Sequence, residues 1–133
     1  MDFENVRAYI VAAGIVPKAT LKTDTTKAFD AIFLLSKPDE MDADTYLVYR
    51  FRRTGGNSVV NKYTFEIKVC SNEALPLIEL KDKVAALLDF YCRPVDIEGF
   101  TKFRLTDEDG ASYDDETGLY TCTLAFECNY VIF

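Results

Sequence analysis

The chain has 133 residues, 49% of them hydrophobic and 28% charged, the proportions of a single ordinary soluble domain. Fifteen Lys and Arg stand against 22 Asp and Glu, a formal net charge of -7, which argues against gripping nucleic acid as the main task. No stretch nears the ~18 uninterrupted apolar residues of a membrane helix. Histidine is absent, which excludes Ser-His and Cys-His nucleophile pairs, His-ligated zinc and the commonest general base.

The opening Met-Asp-Phe-Glu is acidic where a secretory signal is basic, so the expectation is a chain made and kept in a cytoplasm. Phe3, Val6 and Ile10 recur at helical spacing, with Asp2 as the candidate cap and Gly14 and Pro17 as stop signals. Residues 18 to 27 are polar and Thr-rich and read as loop. Ala28 to Leu35 is an apolar run of strand length. Lys37 to Asp44 reads as an acidic loop containing Pro38.

A hairpin follows. Leu47, Tyr49 and Phe51 alternate with Val48, Arg50 and Arg52, and after Thr54-Gly55-Gly56-Asn57 the residues Tyr63, Phe65, Ile67 and Val69 alternate with Thr64, Glu66, Lys68 and Cys70. The connection is longer than a two-residue turn. A helix is predicted over Glu73 to Tyr91, with Leu77, Leu80, Val84, Leu87, Leu88 and Tyr91 on one stripe. Ser71 or Asn72 would cap it, Pro76 would sit in its first turn, and Pro94 would stop it.

The last third, from Gly99, reads as a second hairpin. Thr101, Phe103 and Leu105 share a side of its first strand. Tyr120, Cys122, Leu124, Phe126, Cys128, Tyr130 and Ile132 share a side of the second, because strand side chains alternate faces. Between them, Asp107, Glu108, Asp109, Asp114, Asp115 and Glu116 place six carboxylates within ten residues. The fold class expected from this order is α+β: a mainly antiparallel sheet of about four to five strands with two helices packed on one face, residues 1–133 forming a single domain.

Catalytic motifs are missing. No G-x-x-x-x-G-K-[ST], G-x-G-x-x-G or G-x-S-x-G occurs, and Gly55-Gly56 is explained as turn chemistry. Cys70, Cys92, Cys122 and Cys128 lie 22, 30 and 6 residues apart, without the C-x-x-C pairing of structural zinc sites, and read as reduced, packed side chains. Counting Gly110 as position 6 of a calcium loop puts Asp107 at 3, Asp109 at 5 and Glu116 at 12. Position 1 is then Leu105, which offers no side-chain ligand, and the flanks are strands where helices are needed. Paired carboxylates doing acid–base work need desolvated neighbours, which a hairpin tip does not provide. No catalytic residue, cofactor site or metal site is therefore assigned.

Charge is segregated along the chain. Arg50, Arg52, Arg53, Lys62 and Lys68 cluster on the middle hairpin, opposed only by Glu66, while the last hairpin carries the acid. A basic and an acidic patch on one molecule suit head-to-tail contact, which closes into a ring where the rotation permits. Two solvated faces, or a soluble acidic module recognising a basic partner, are the alternatives.

In the order of these elements the chain resembles the tail terminator (tail completion, or minor capsid) proteins of long-tailed bacteriophages. The likeness lies in YTFEIKVCSNEALPLIELKDKVAALLDF, residues 63–90, and in GFTKFRLTDEDGASYDDETGLYTCTLAFECNYVI, residues 99–132, most of all in Asp-Asp-Glu-Thr-Gly-Leu-Tyr before an alternating strand. The resemblance implies a non-enzymatic α+β subunit forming a sixfold ring on the tail tube. That ring ends tube growth, meets the tail-tube protein and a head-completion protein, and lets DNA through its lumen without specific binding. It implies assembly in a bacterial host's cytoplasm and a final place in the virion tail. The loop 107–116 would face the lumen or a neighbouring subunit.

Overall fold

A computed structural model describes residues 3–131. Asp2, read as a helix cap, and Ile132, read onto the last strand, lie outside the described residues. Within them the elements run α1 (Glu4–Ala12), β1 (Lys18–Leu21), β2 (Asp24–Asp30), β3 (Ile32–Leu34), β4 (Met41–Asp42), β5 (Thr45–Gly56), β6 (Val60–Ser71), α2 (Ala74–Leu88), β7 (Phe100–Glu108), β8 (Ser112–Asp114) and β9 (Leu119–Val131).

The α+β class holds, but the strands number nine among the described residues and form two sheets, more than the four to five expected. The larger sheet runs β3-β5-β6-β9-β7, with β8 also paired to β9, and the smaller runs β2-β1-β4. The pairing of β3 with β5 is parallel, so the large sheet is mixed.

Residues 18 to 27, expected to be loop, build β1 and the start of β2. Five successive residues of β2, Thr25 to Phe29, are exposed, so no apolar alternation marks it as a strand. The expected strand at Ala28 to Leu35 is cut at Ala31. Its N–H donates to the Pro17 carbonyl (2.9 Å) and its carbonyl accepts from the Leu47 N–H (2.8 Å). One residue therefore hands the chain from the small sheet to the large one. The supposed loop at Lys37 to Asp44 contributes β4, which pairs with β1.

The middle hairpin forms as read and extends further. Asn57 closes its turn: its side-chain oxygen accepts from the N–H groups of Val59 (2.8 Å) and Val60 (2.9 Å). Cross-strand register builds the core in rows. Leu47, Val69 and Cys122 lie side by side, then Tyr49, Ile67 and Leu124, then Phe51, Phe65, Phe126 and Leu105. Val6 and Ile10 of α1 and Leu77, Leu80, Val84 and Leu88 of α2 bury into this same cluster, so both helices cover one face. A smaller cluster of Ala19, Ala31, Met41, Tyr46 and Cys70 joins the small sheet to one end of the opposite face.

Helix α2 stops at Leu88, three residues before the expected end. The Asp89 carboxylate accepts from the Leu105 N–H (3.3 Å), and the Phe90 N–H donates to the Phe103 carbonyl (3.0 Å). The edge of β7 thus takes over bonds that another helical turn would have used. Arg93 closes the helix instead, donating to the carbonyls of Ala86 (3.2 Å) and Leu87 (2.7 Å). Tyr91, expected on the buried stripe, is 69% exposed. At the other end the N-cap is Glu73, with no side-chain cap bond, so neither Ser71 nor Asn72 caps the helix; Ser71 is buried instead, its oxygen accepting from the Glu73 N–H (3.2 Å) ahead of the first turn.

Candidate functional site

The six acids run from the middle of the large sheet, where Asp107 is level with Ala125 of β9, to one end of it, where Asp114 is level with Leu119. Asp107 and Glu108 end β7, Asp109 follows, and Asp114 closes β8, a short strand inside the expected loop. Every residue from Thr106 to Thr117 is exposed. The tip is ordered by its own backbone bonds. The Asp114 carboxylate accepts from the Glu116 N–H (2.9 Å), the Asp109 N–H donates to the Thr123 carbonyl (3.0 Å), and the Cys122 thiol donates to the Asp109 carbonyl (2.7 Å).

One of the six is already spoken for within the chain. Glu108 pairs with Lys81 of α2, which also reaches Asp82 (3.1 Å). Hydrogen bonds to Glu108 and Asp82 hold the Lys81 ammonium charged well above its ordinary range. Asp109, Asp115 and Glu116 make no ion pair among the described residues. No group of three or more His, Cys, Asp or Glu side chains is arranged to hold a metal there or elsewhere among the described residues. Tyr113 stands in the tip, 52% exposed, its ring 4.7 Å from that of Tyr120. Leu75 and Ile78 of α2 are exposed, and Ile78 lines a cleft of about 120 Å³ that also borders Glu108 and Asp109.

The five basic candidates do not all come together. Arg50, Arg52, Lys62 and Lys68 lie on the sheet face away from the helices, whereas Arg53 stands opposite Tyr63 on the helix side. Arg50 is paired with Glu66, 2.6 Å from Nη2 to Oε2. Register then adds two cations from the last hairpin. Lys62 and Lys102 flank Asn129, and Arg52 and Arg104 lie in one row with Thr64 and Glu127. Lys102 (3.2 Å) and Arg104 (3.8 Å) share the single carboxylate of Glu127. The buried Oδ1 of Asn129, between the two lysines, has no hydrogen-bond partner among the described residues. The signal for Lys102 and Arg104 was their alternation with Phe103 in Thr-Lys-Phe-Arg-Leu, which puts both on the polar side of the strand.

The rows of Arg52, Lys62, Lys102 and Arg104 and the tip at Asp114 sit toward opposite ends of the sheet, while Asp107 shares a middle row with Arg50, Glu66 and Ala125. Asp114 is level with Leu119 and Arg104 with Glu127 along β9, a separation of about 27 Å at ~3.4 Å per residue. Of the four cysteines, Cys70, Cys122 and Cys128 are buried and Cys92 is exposed. No helix among the described residues is long and apolar enough to cross a membrane.

The fold and its surfaces define a two-sheet α+β domain with a basic band toward one end of its large sheet and an acidic hairpin tip at the other. That fold is shared with a chain solved in the virion of a native gene transfer agent (GTA) particle: TM-score 0.61 and 15% identity, covering 98% of this chain and 91% of that one. No family model and no curated protein matches the sequence.

Proposed function

We propose that this chain is a non-enzymatic virion subunit that forms a ring on the end of a phage tail tube, ending tube growth and offering the surface to which the head joins. The observation that carries the reading is the fold shared, over nearly its whole length, with a virion chain. The division of charge supports it, since a ring needs two different, complementary surfaces on each copy. Six copies close the ring, the tail-tube protein and a head-completion protein meet its two sides, and DNA passes through without specific binding. Its place is the virion tail, after assembly in the host cytoplasm.

The test is to add purified protein to polymerising tail tubes and measure tube length by electron microscopy. Tubes of uniform length with a capped end are expected, and tubes that grow as they do without the protein would overturn the reading. A second reading, an acidic module that binds a basic partner, is favoured by the exposure of the tip and Tyr113. A stable monomer that captures a cationic protein and leaves tube growth unchanged would favour that reading.

A further inference from the structure

The charged surface the structure adds is the basic band on the helix-free face of the large sheet. Arg52, Lys62, Lys102 and Arg104 occupy two neighbouring rows with one carboxylate among them, that of Glu127, which pairs with Lys102 and Arg104, and the row beyond adds Arg50, Glu66 and Asp107. Arg52 and Arg104 are three strand spacings apart, about 14 Å at ~4.8 Å each. Beside the band, the Arg104 guanidinium lies 5.6 Å from the ring centre of exposed Tyr91, at a groove of about 230 Å³ along β7.

We propose that this band is the seat for the acidic hairpin tip, residues 109–116, of a second copy of the chain. The inference rests on the ring reading and names the surface through which its copies meet. Three observations on the molecule choose that occupant. The tip carries carboxylates with no ion-pair partner among the described residues, at Asp109, Asp115 and Glu116. Its strand β8 pairs with β9 alone among the described residues, so the other edge of the tip is open. Its exposed Tyr113 brings an aromatic ring to a surface bordered by Tyr91 and Arg104, so apolar contact accompanies charge, as interfaces require. Every copy owns one tip and one band, so each contact leaves one of each free for the next.

A geometric consequence follows. Band and tip are separated along the strand direction, so copies joined this way succeed one another along that direction. In a ring, the strands of the large sheet would then run around the circumference.

The experiment uses two charge-neutralising variants, Lys102→Gln/Arg104→Gln, which loses the charge of the band, and Asp115→Asn/Glu116→Gln, which loses that of the tip. All these side chains are at least partly exposed, and unchanged circular dichroism and melting temperature would verify folding. At low salt, sedimentation velocity of the wild type is expected to show concentration-dependent association. Each variant alone is expected to associate at least tenfold more weakly. Mixed together they should form dimers and no more, because the band variant's intact tip meets the tip variant's intact band at a single contact. Carbodiimide treatment of mixed 14N- and 15N-labelled wild type should join Lys62 or Lys102 of one copy to the 109–116 segment of another. Variants that associate like the wild type, or cross-links that never join these segments, would overturn the docking. If those same variants still cap tail tubes, the ring reading survives without it. Wild type that neither associates nor caps tubes overturns both. A duplex DNA that binds the band more tightly than a tip peptide does would overturn the choice of occupant.

Discussion

Phe65 has no exposed surface, and the rings of Phe51 (4.7 Å), Phe103 (5.6 Å), Phe126 (6.0 Å) and Tyr49 (6.0 Å) surround it. It joins β5, β7 and β9 from the central β6, so no single neighbour can close the space its loss would leave. Phe65→Ala should cost about 3–5 kcal/mol, read as a lower urea midpoint. Gly99 adopts φ 87°, and a Cβ there would overlap the Tyr130 ring, whereas Gly118 at φ 70° has open space around it. Gly99→Ala should therefore lower the melting temperature clearly more than Gly118→Ala. Burial pushes the Cys128 thiol and the Tyr46 hydroxyl up to about 12 from ordinary values of 9.0 and 10.0. Between the ordinary and the raised values the folded chain keeps a proton that the unfolded chain has lost, so stability falls as pH rises. The melting temperature should stay level from about pH 7 to 8.5 and decline above about pH 9, and Cys128→Val should soften the onset. Cys92, exposed while the other three thiols are buried, should be the one that reacts quickly with a thiol reagent in the native protein.

At the scale of elements, α2 and the last hairpin are tied by one exposed-to-partly-buried ion pair. Lys81 has a side chain 21% exposed and Glu108 one 38% exposed, so the pair's share of global stability is small, about 1 kcal/mol or less. Its larger effect is local, because it pins the base of the acidic tip against the helix. Lys81→Met should leave the denaturation midpoint nearly unchanged while amide exchange around residues 106–118 speeds up. Unchanged exchange there would mean that the backbone bonds of Asp109 and Asp114 hold the tip without help. The β1–β2 hairpin behaves differently, since β2 is exposed on both faces and rests on β1 alone. Its amides should exchange before those of β6 and β9, which are flanked by strands on both sides.

At the scale of the whole molecule, charge is distributed along the strands. Converting Asp107, Glu108, Asp109, Asp114, Asp115 and Glu116 to their amides removes six formal charges. This should leave the fold intact while impairing tube capping, seen as overlong tubes by electron microscopy. Raising salt should weaken association of the wild type in the same sense, since exposed charges are screened beyond about 8 Å at physiological ionic strength. An association indifferent to salt would point to apolar contacts, of which Leu75, Ile78 and Tyr113 at the acidic end are the exposed candidates.

Local pattern alone determined much of this protein. The middle hairpin, the buried stripe of α2, the alternating last strand and the exposed acidic tip were legible because strand and helix periodicity appear within a few residues of sequence. Tertiary structure decided the rest. The cut at Ala31, the parallel seat of β3 and the end of α2 at Leu88 all depend on hydrogen bonds to backbone far away in sequence. No local alternation encodes those partners. The basic band is of the same kind. Lys102 and Arg104 look like part of the acidic hairpin until the pairing of β9 with both β6 and β7 places them beside Lys62 and Arg52. A charge's neighbours across a sheet are set by register, and register belongs to the assembled sheet.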